Sequence, residues 1–296
     1  MALVSVKDDI LPLIEKELPP LECVKLRFTA QKCSLWQSKA GGTPYYPKGM
    51  GWPEGSGETE SGRTLRFLAQ LNFGELPHTD GFPRKGILQF FICPDGDYGL
   101  PHMGSLEGGY KVVYHENIIT DPALLYSEKD IPETDEEYDE FPVRGEYLIT
   151  GEKGISRATA DDHRFERIVL RVIEEKTGVR ADSLFHLYRK EFKGTLEKCF
   201  GAEELPEELW EINSSGEDDN FSQTGGYPRF EQQDPRASED FLKDHNIILF
   251  QSDCVYDPEN DVCIEWGDGG TANFFITPED LKRLDFSKVL FNWDCG

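Results

Sequence analysis

The sequence predicts one α+β domain that is mostly antiparallel sheet, and three observations support this fold class. Short apolar runs alternate with polar residues towards both ends of the chain, which is typical of strands with one wet face. Helical patterns cluster between residues 161 and 212. The 28 glycines and 18 prolines add turn signals between the runs. We therefore expect a single domain, 1–296, with an N-terminal β-rich half at 1–150, a helical insert at 161–212 and a C-terminal β-rich half at 213–296.

The N-terminal half begins with a predicted helix and continues in strands. Apolar residues recur at helical spacing from Ile10 to Leu18, and two prolines follow directly. From Cys23 the sequence CVKLRFTA alternates apolar and basic residues, as a half-exposed strand does. Residues 38–62 form a long loop rich in Gly and Pro. The further predicted strands are LRFLAQLNF, GILQFFI, YKVVYHE and EYLIT.

The strongest helical pattern lies in the predicted insert. Apolar residues follow the 0, 3, 4, 7, 8 spacing of a buried helical face, and Gly178 is placed to end the helix in the left-handed conformation. These residues are Phe165, Ile168, Val169, Val172 and Ile173. Weaker helices are predicted at 182–192 and 196–212. The predicted C-terminal strands are NIILFQSDCVY, VCIEW, TANFFI and VLFNW, and Thr277 followed by Pro278 predicts one more short helix.

The two ends of the chain resemble each other. Gln70 ends an apolar run and is followed 20 residues later by Phe90-Phe91, and Gln251 is followed 23 residues later by Phe274-Phe275. This pattern favours an internal duplication with a helical insert between the copies. Chance similarity between β-hairpins is the alternative.

Five motifs in the same order resemble the YwqG family, a bacterial family with a domain of unknown function. The resemblance runs from about Ser38 to Cys295 and implies no established activity or catalytic residue. The acidic middle segment is more elaborate than the common core of that family. The motifs are SKAGGTPYYPKGMGWP, LRFLAQLNFGELP, KGILQFFI, GGYPRFEQQDPR and IEWGDGGTANFFITPEDLKRLDFSKVLFNWDC.

The negative charge is concentrated in two segments. Residues 128–140 and 203–219 together carry −15 of the net charge of −25. Phosphate contacts require a basic face, so this charge disfavours nucleic-acid binding, and it also disfavours anionic membranes. A basic protein partner would be attracted. The alternative is that both segments are solvated loops that keep the protein soluble.

The sequence predicts a cytoplasmic protein. The N-terminus has no apolar run long enough for a signal peptide, and no later window reaches the 18 uncharged apolar residues of a membrane span. The cysteines are odd in number and include no C-x-x-C motif, which favours reduced thiols. They are Cys23, Cys33, Cys93, Cys199, Cys254, Cys263 and Cys295.

Two acidic turns resemble ion sites, but turn geometry explains both better. Asp268 lies in WGDGG between two apolar runs, where Gly supplies positive φ and Asp bonds its own backbone. The sequence DCVYDPENDVC has crowded oxygen ligands, yet Pro258 replaces the central Gly of an EF-hand loop. We expect a hairpin there, with Asn260 left-handed and with Cys254 and Cys263 within one residue of cross-strand register.

Several kinds of catalytic and cofactor site are disfavoured by spacing. The six histidines share no zinc-binding spacing with each other or with cysteine, so no metal site is expected. There is no G-x-S-x-G, and GMGWPEGSG lacks the Lys-Ser/Thr ending and the following helix of a phosphate loop. We therefore expect no cofactor and no local nucleophile, which favours a non-catalytic protein over an enzyme.

The remaining candidates are aromatic residues in turn-rich loops and dispersed polar residues. Such aromatics can anchor a ligand or can cap a β core. We expect any concave site to lie where the GGTPYYP, GGYPRF and WGDGG loops converge. The candidate binding residues are Tyr46, Trp52, Gln70, Tyr227, Asp234, Gln251, Asp253, Trp266 and Asp268, with Tyr45 as a further loop aromatic. The favoured function is binding of a protein, for example neutralising a basic partner. The alternative is a small-ligand binder or an enzyme that uses dispersed carboxylates such as Asp234, Asp253 and Asp268.

Overall fold

A computed structural model describes residues 3–101, 105–134, 141–188, 190–201 and 221–296. Twelve short strands, joined by turns rich in Gly and Pro, form the framework of this described part of the chain. The strands are β1 (Leu21–Ala30), β2 (Lys39–Gly41), β3 (Arg66–Asn72), β4 (Ile87–Ile92), β5 (Tyr110–His115), β6 (Glu146–Ser156), β7 (Gln223–Gly225), β8 (Ile247–Asp253), β9 (Val255–Asp257), β10 (Val262–Ile264), β11 (Thr271–Ile276) and β12 (Leu290–Asp294).

Ten of these strands form one antiparallel sheet in the order β12-β11-β8-β7-β1-β6-β2-β3-β4-β5, and β9 and β10 form a separate hairpin. This confirms the predicted α+β class with mostly antiparallel sheet. The sheet curves so that its two ends meet. Tyr110 on β5 donates a hydrogen bond of 2.6 Å to the carbonyl of Val289, just before β12. Phe90 on β4 packs against both Phe250 on β8 and Phe274 on β11, so the main core lies inside the curve.

Five α-helices of the described residues accompany the sheet, and the two with the clearest sequence signals are the ones predicted best. In α3 all five residues of the predicted apolar face are buried, and Gly178 caps the helix with φ of 71°. In α5 the Thr277 hydroxyl accepts from the backbone of Asp280, as the capping pattern predicts. The helices are α1 (Leu11–Glu17), α2 (Gly57–Glu60), α3 (Phe165–Thr177), α4 (Lys190–Phe200) and α5 (Pro278–Arg283). No helix within the described residues is both long enough and apolar enough to cross a membrane.

The weaker helix predictions are shifted. A short 3₁₀ turn, Phe185–Tyr188, and the beginning of α4 lie where the helix at 182–192 was predicted, and α4 continues to Phe200. Residues 202–212 of the helix predicted at 196–212 lie outside the described residues. Residues 202–220 lie outside the described part of the chain, and so does the acidic segment 203–219. Together α1 and α3 form a second apolar core.

Strands β1–β5 are repeated by β6, β7, β8, β11 and β12, and we call these sets the first and second repeats. Each repeat uses one glutamine to fasten a Gly-Gly loop to the sheet. The Gln70 side-chain carbonyl accepts from the backbone N–H of Tyr45 at 2.9 Å. The Gln251 carbonyl accepts from the backbone N–H of Arg229 at 3.0 Å. Each of these two loop residues lies three positions after its Gly-Gly pair, so the bonds are equivalent.

Further bonds repeat in the same positions. Gln89 on β4 and Asn273 on β11 donate their side-chain amides to the carbonyls of Tyr45 and Arg229. The hydroxyls of Ser38 and Ser222 accept from the backbones of Asn72 and Asp253, at 2.9 Å and 3.0 Å. All four loop glycines have left-handed φ angles: Gly41 67°, Gly42 68°, Gly225 73° and Gly226 79°. These shared bonds support the predicted internal duplication.

The repeats exchange their second strands. In the first repeat β2 pairs with β6, whereas in the second β7 pairs with β1. Strands β1 and β6 pair with each other over their whole length at the centre of the sheet. Each repeat therefore contributes one strand that pairs with the long strand of the other repeat. The single domain 1–296 stays a prediction.

Three local predictions need correction. The predicted loop at 38–62 contains the short strand β2 and the helix α2. The hairpin at 255–264 is present, but Cys263 pairs with Tyr256, so Cys254 is two residues out of register rather than within one. The left-handed residue is Asp261, with φ of 54°, and not Asn260. The turn that starts at Asp257 holds Asn260 by backbone and side-chain bonds, so the reversal of φ falls one residue later.

Candidate functional site

An open cleft of about 990 Å³ lies beside the Gly-Gly loop of the first repeat. Its walls come from the start of β3, from the segment before β6 and from the described part of the acidic segment. Trp52 lines it and so do Phe67 and Phe141, while Glu128 and Glu133 provide carboxylates. The cleft therefore combines an aromatic surface with acidic groups. Residues 135–140 of the acidic segment lie outside the described residues.

Trp52 belongs to an aromatic cluster beneath the cleft. Its ring centroid is 5.2 Å from that of Tyr46 and 5.6 Å from that of Phe91. The indole N–H donates to the carbonyl of Leu65 at 2.8 Å, which fixes the ring. Tyr46 is buried, and burial raises the pKa of its phenol to about 12. Trp52 is half-buried, so of these two predicted anchors only Trp52 reaches the cleft.

Two of the basic side chains at the cleft already have contacts of their own. The guanidinium of Arg66 lies over the ring of Phe141, 4.3 Å from its centroid. Arg144 pairs with Glu265 at 3.0 Å. The ion pair compensates the charge of Arg144, whereas the ring contact leaves the positive charge of Arg66 in place.

Two candidate residues, Gln70 and Gln251, are structural. Both are completely buried, and each uses its side-chain amide group to hold backbone groups of its own loop. Gln70 also donates to the carbonyls of Leu35 and Gln37, both at 2.8 Å. Buried amides of this kind bond backbone groups that have lost access to water, which explains why both repeats use them.

Asp234 lies in a buried ion-pair network. Its carboxylate pairs with Arg236 at 2.6 Å, and the same guanidinium lies 3.5 Å from Asp162. Asp162 also pairs with Arg164 at 2.8 Å. The side chains of Arg236 and Asp162 are completely buried. A buried pair of this type is strongly coupled, so Asp234 is committed to Arg236.

Asp253 is also engaged. Its carboxylate accepts from the Thr271 hydroxyl at 3.0 Å and from the backbone N–H groups of Phe221 and Cys254, at 3.2 Å and 3.0 Å. Asp268 is exposed at the tip of the loop before β11, between Gly267 and Gly269, whose φ angles are 53° and 75°. The structure therefore gives Asp268 the turn position that its glycine neighbours suggest.

Two more candidate aromatics belong to the core. Trp266 has no exposed surface, and its indole donates to the Ser252 hydroxyl at 3.1 Å. Tyr227 is buried, and its hydroxyl donates to the carbonyl of Pro19 at 2.8 Å. Tyr45 is fully buried as well. Trp266 packs in the core inside the sheet, Tyr227 in the second apolar core and Tyr45 in a smaller cluster with Ile87. Their polar atoms find partners, which is usual for buried Tyr and Trp.

The two Gly-Gly loops, in GGTPYYP and GGYPRF, do not converge. Gly41 pairs with Glu146 at one end of β6, whereas Gly225 pairs with Cys23, which pairs with Gly154 near the other end. These ends lie about 26 Å apart along the strand, at roughly 3.3 Å per residue. The expected meeting point of GGTPYYP and GGYPRF is therefore wrong. The reason is that the two repeats run in opposite directions across the sheet.

A family model for a domain of unknown function (DUF1963) matches residues 38–295. That range contains most of the residues that line the cleft, both Gly-Gly loops and the buried ion pairs. The chain belongs to this family. A search of curated proteins finds no match. The finer resemblance of this DUF1963 protein to the YwqG family stays a prediction.

The structure brings together one group of metal-type ligands that sequence spacing did not indicate. Among the described residues of this DUF1963 protein, Glu60, Cys93 and Asp95 place ligand atoms within 4.8 Å of one another. Arg63 lies among them and donates to Glu60 at 2.7 Å and to Asp95 at 2.8 Å. Burial, with Asp95 next, raises the pKa of the Cys93 thiol, so it stays protonated. The guanidinium takes the place that a cation would need.

Sequence reasoning also missed the charged network around Arg236. A signal for it was present, because Trp52 and Arg236 each lie ten residues after the second glycine of their loops. In the structure Trp52 packs on Phe91 and Arg236 lies over Phe275, 4.5 Å from the ring centroid. The two residues therefore occupy equivalent places in the two repeats of this DUF1963 domain.

Proposed function

We propose that the protein is a non-catalytic binding protein whose cleft receives a basic segment of a partner protein. The observation that carries this proposal is the shared cleft of Trp52 and the acidic residues Glu128 and Glu133. An aromatic face beside carboxylates suits lysine or arginine side chains, which gain both cation–π and ionic contacts.

The charge of the whole chain supports the same choice. A net charge of −25 attracts basic partners over long distances and raises the rate of encounter. The cleft is also large enough for several side chains of an extended segment. Binding would neutralise a basic partner, and we place this activity in the cytoplasm because the described cysteines are all free thiols.

The alternative, a ligand site or an active site built from Asp234, Asp253 and Asp268, has less support. Asp234 is paired with Arg236, and Asp253 accepts bonds from Thr271 and the backbone. Asp268 is exposed on a turn. Carboxylates that act as an acid–base pair must share one site, and these three have separate structural surroundings.

The test is titration of the protein with an arginine-rich peptide by calorimetry, at low and at high salt. Replacing both cleft carboxylates (Glu128→Gln with Glu133→Gln) should weaken binding about five- to tenfold, since each partly screened ion pair contributes roughly 0.2–1 kcal/mol. High salt should weaken binding of the wild type, because screening reduces the attraction between exposed charges.

A matched control changes the net charge equally at another place. Glu174 and Glu175 are exposed on α3, which packs against α1 in the second apolar core. Replacing both with Gln should change affinity less than about twofold. If both double variants weaken peptide binding equally, the attraction depends on net charge alone, and the cleft is not the binding site. Absence of binding to the wild type would reject the proposed function itself.

A further inference from the structure

A small cavity of about 10 Å³ lies between the loop after β3 and strand β7. Three of its lining residues have polar side chains, namely His78, Thr79 and Thr224. Its other lining residues are phenylalanines, prolines and a leucine of the segment 73–83. Since the loop follows β3 of the first repeat and Thr224 belongs to β7 of the second, the cavity lies where the two repeats meet.

Two buried polar atoms of residues that line this cavity have no hydrogen-bond partner among the described residues. They are the imidazole Nδ1 of His78 and the hydroxyl oxygen of Thr224. Only 3% of Thr224 is exposed, so solvent outside the protein does not reach its hydroxyl. Buried polar groups in folded proteins nearly always have a protein or water partner. Because both residues line one cavity, we expect their partner inside it.

The first repeat has no polar group at the equivalent position. Ala40 and Thr224 each lie one residue before the Gly-Gly pair of their repeat. Ala40 is 1% exposed and packs in the main core. An apolar side chain therefore satisfies the scaffold here. The buried hydroxyl of Thr224 needs an explanation of its own.

We infer that the cavity binds one water molecule, which bridges the Thr224 hydroxyl and Nδ1 of His78. A buried water requires roughly 10–15 Å³ of such space and at least two polar partners. The cavity provides both, and its volume excludes a larger ligand. None of its lining residues is an aspartate or a glutamate, so Ca²⁺ or Mg²⁺ would lack the carboxylates that these ions prefer.

The bridge fastens the loop after β3 to the centre of the sheet. A Cβ at Gly225, beside Thr224, would lie 3.8 Å from the ring of Phe82. A Cβ at Gly151 on β6 would lie 3.1 Å from the side chain of Leu76. The loop thus packs closely on β6 and β7 through apolar side chains. The water adds a polar contact to this interface between the repeats.

The first test replaces Thr224 by valine, which has nearly the same shape but no hydroxyl. A hydroxyl that binds a buried water contributes to stability, whereas a buried hydroxyl without a partner reduces it. We therefore expect Thr224→Val to lower Tm by about 2–4 °C. An unchanged or raised Tm would overturn the inference. The matched control is Thr29→Val on β1, where the side chain is exposed and Tm should stay nearly constant.

A double-mutant cycle tests whether the two atoms share one water. His78→Leu removes the imidazole, and it is measured alone and together with Thr224→Val. Two groups that bind the same water give non-additive losses, so the double variant should lose little more Tm than either single variant. Additive losses would show that the hydroxyl and the imidazole have separate surroundings.

A crystal structure of the wild type at high resolution tests the inference even if the variants fold poorly. We expect a water within about 3.2 Å of both Nδ1 of His78 and the Thr224 hydroxyl. An empty cavity, or a direct hydrogen bond between the two side chains, would overturn the inference. The arginine-peptide test of the cleft is independent of these results, because neither His78 nor Thr224 lines the cleft.

Discussion

The two repeats share one scaffold but fill it differently, and the difference separates what the fold needs from what it tolerates. In both, a glutamine and a Gly-Gly pair hold a loop against the sheet. Above the equivalent phenylalanines, the first repeat has Trp52 and the second has Arg236. Bonds between side-chain amides and backbone are therefore kept, whereas the groups packed outside them have diverged.

The divergence changes the chemistry of each repeat. The first has aromatic rings around Trp52 and a histidine, His115, that satisfies its buried amide. The second has ion pairs around Arg236, and its Asn273 side-chain carbonyl has no hydrogen-bond partner among the described residues. An open cleft lies beside the first repeat, while α1 and α3 cover the equivalent loop of the second through Tyr227. One scaffold thus offers two chemically distinct surfaces.

The largest difference in stability between equivalent positions of the two repeats should come from replacing Arg236. Replacement by methionine, R236M, leaves the buried Asp234 without its partner, and unpaired buried charges cost about 3–5 kcal/mol. Trp52→Phe, the equivalent change in the first repeat, loses one hydrogen bond and some ring area, for about 1–2 kcal/mol. Urea unfolding of both variants measures the two losses. A smaller loss for R236M than for Trp52→Phe would contradict this account of the ion pairs.

The two structural glutamines give the next comparison. Gln70→Leu should cost about 3 kcal/mol, because the buried N–H of Tyr45 and the carbonyls of Leu35 and Gln37 lose a partner. Gln251→Leu should cost somewhat less, about 2 kcal/mol, because in the described part of the chain its side chain bonds the backbone of two residues, Arg229 and Phe221. The free energies of unfolding from chemical denaturation test the order. A negligible loss in both variants would refute the structural role of these residues.

Acid should act on the repeats in opposite directions. Burial lowers the pKa of His115 to about 4, so between pH 6.5 and 4 the unfolded chain binds a proton that the folded chain does not. Folding stability through His115 is then lost as the pH falls across that window, by up to about 3 kcal/mol. The pKa of Asp161 is raised to about 6, so between pH 6 and pH 4 the folded chain binds a proton that the unfolded chain does not. The contribution of Asp161 to folding stability therefore grows as the pH falls across that range.

Unfolding free energies of two variants at pH 7.5 and pH 4.5 separate these contributions. His115→Gln should make the protein less sensitive to acid than the wild type, because it removes the group that favours the unfolded state at low pH. Asp161→Asn should make it more sensitive, because it removes the group that opposes that loss. If both variants lose the same stability between pH 7.5 and pH 4.5, His115 and Asp161 do not act in opposite directions, and the prediction is wrong.

Much of the fold could be predicted because its signals are local. The buried face of α3, the cap of α5 and most strands follow from spacing and turn residues within a few positions. The short strand β2 could not be predicted in this way. Its position depends on pairing with β6, more than 100 residues away in sequence, and on the distant Gln70. A Gly-rich stretch of three strand residues carries no periodicity of its own.

The candidate site was harder to predict for the same reason. Trp52 was identified from its residue type, and it does line the cleft. Trp266 and Tyr227 were identified in the same way, yet they are core residues whose polar atoms bond Ser252 and Pro19. Residue type alone does not distinguish these cases, since burial depends on which strands become neighbours. The pairing of Asn273 with Asn292 could not be predicted, because it depends on the register of β11 with β12.

The smallest difference in stability is expected between alanine variants of Gly41 and Gly225, the first glycines of the two Gly-Gly pairs. Alanine at φ near 70° costs roughly 1–2 kcal/mol in either repeat. At Gly41 a Cβ would also collide with the backbone carbonyl of Gly145, whereas at Gly225 it would lie 3.1 Å from the carbonyl of Glu22. Gly41→Ala should therefore destabilise the protein by about 1 kcal/mol more than Gly225→Ala, because only the first change forces the backbone to move.

Thermal and urea unfolding of these two alanine variants measure the difference directly. Gly178→Ala is a useful reference, because Gly178 has φ of 71° and a Cβ there would meet no atom within 4 Å. It reports the cost of the left-handed conformation alone. The expected order of destabilisation is Gly41 first, then Gly225, then Gly178. Equal losses at Gly41 and Gly178 would mean that strand β2 moves away from Gly145 easily, and the tight loop attachment inferred for the first repeat would be wrong.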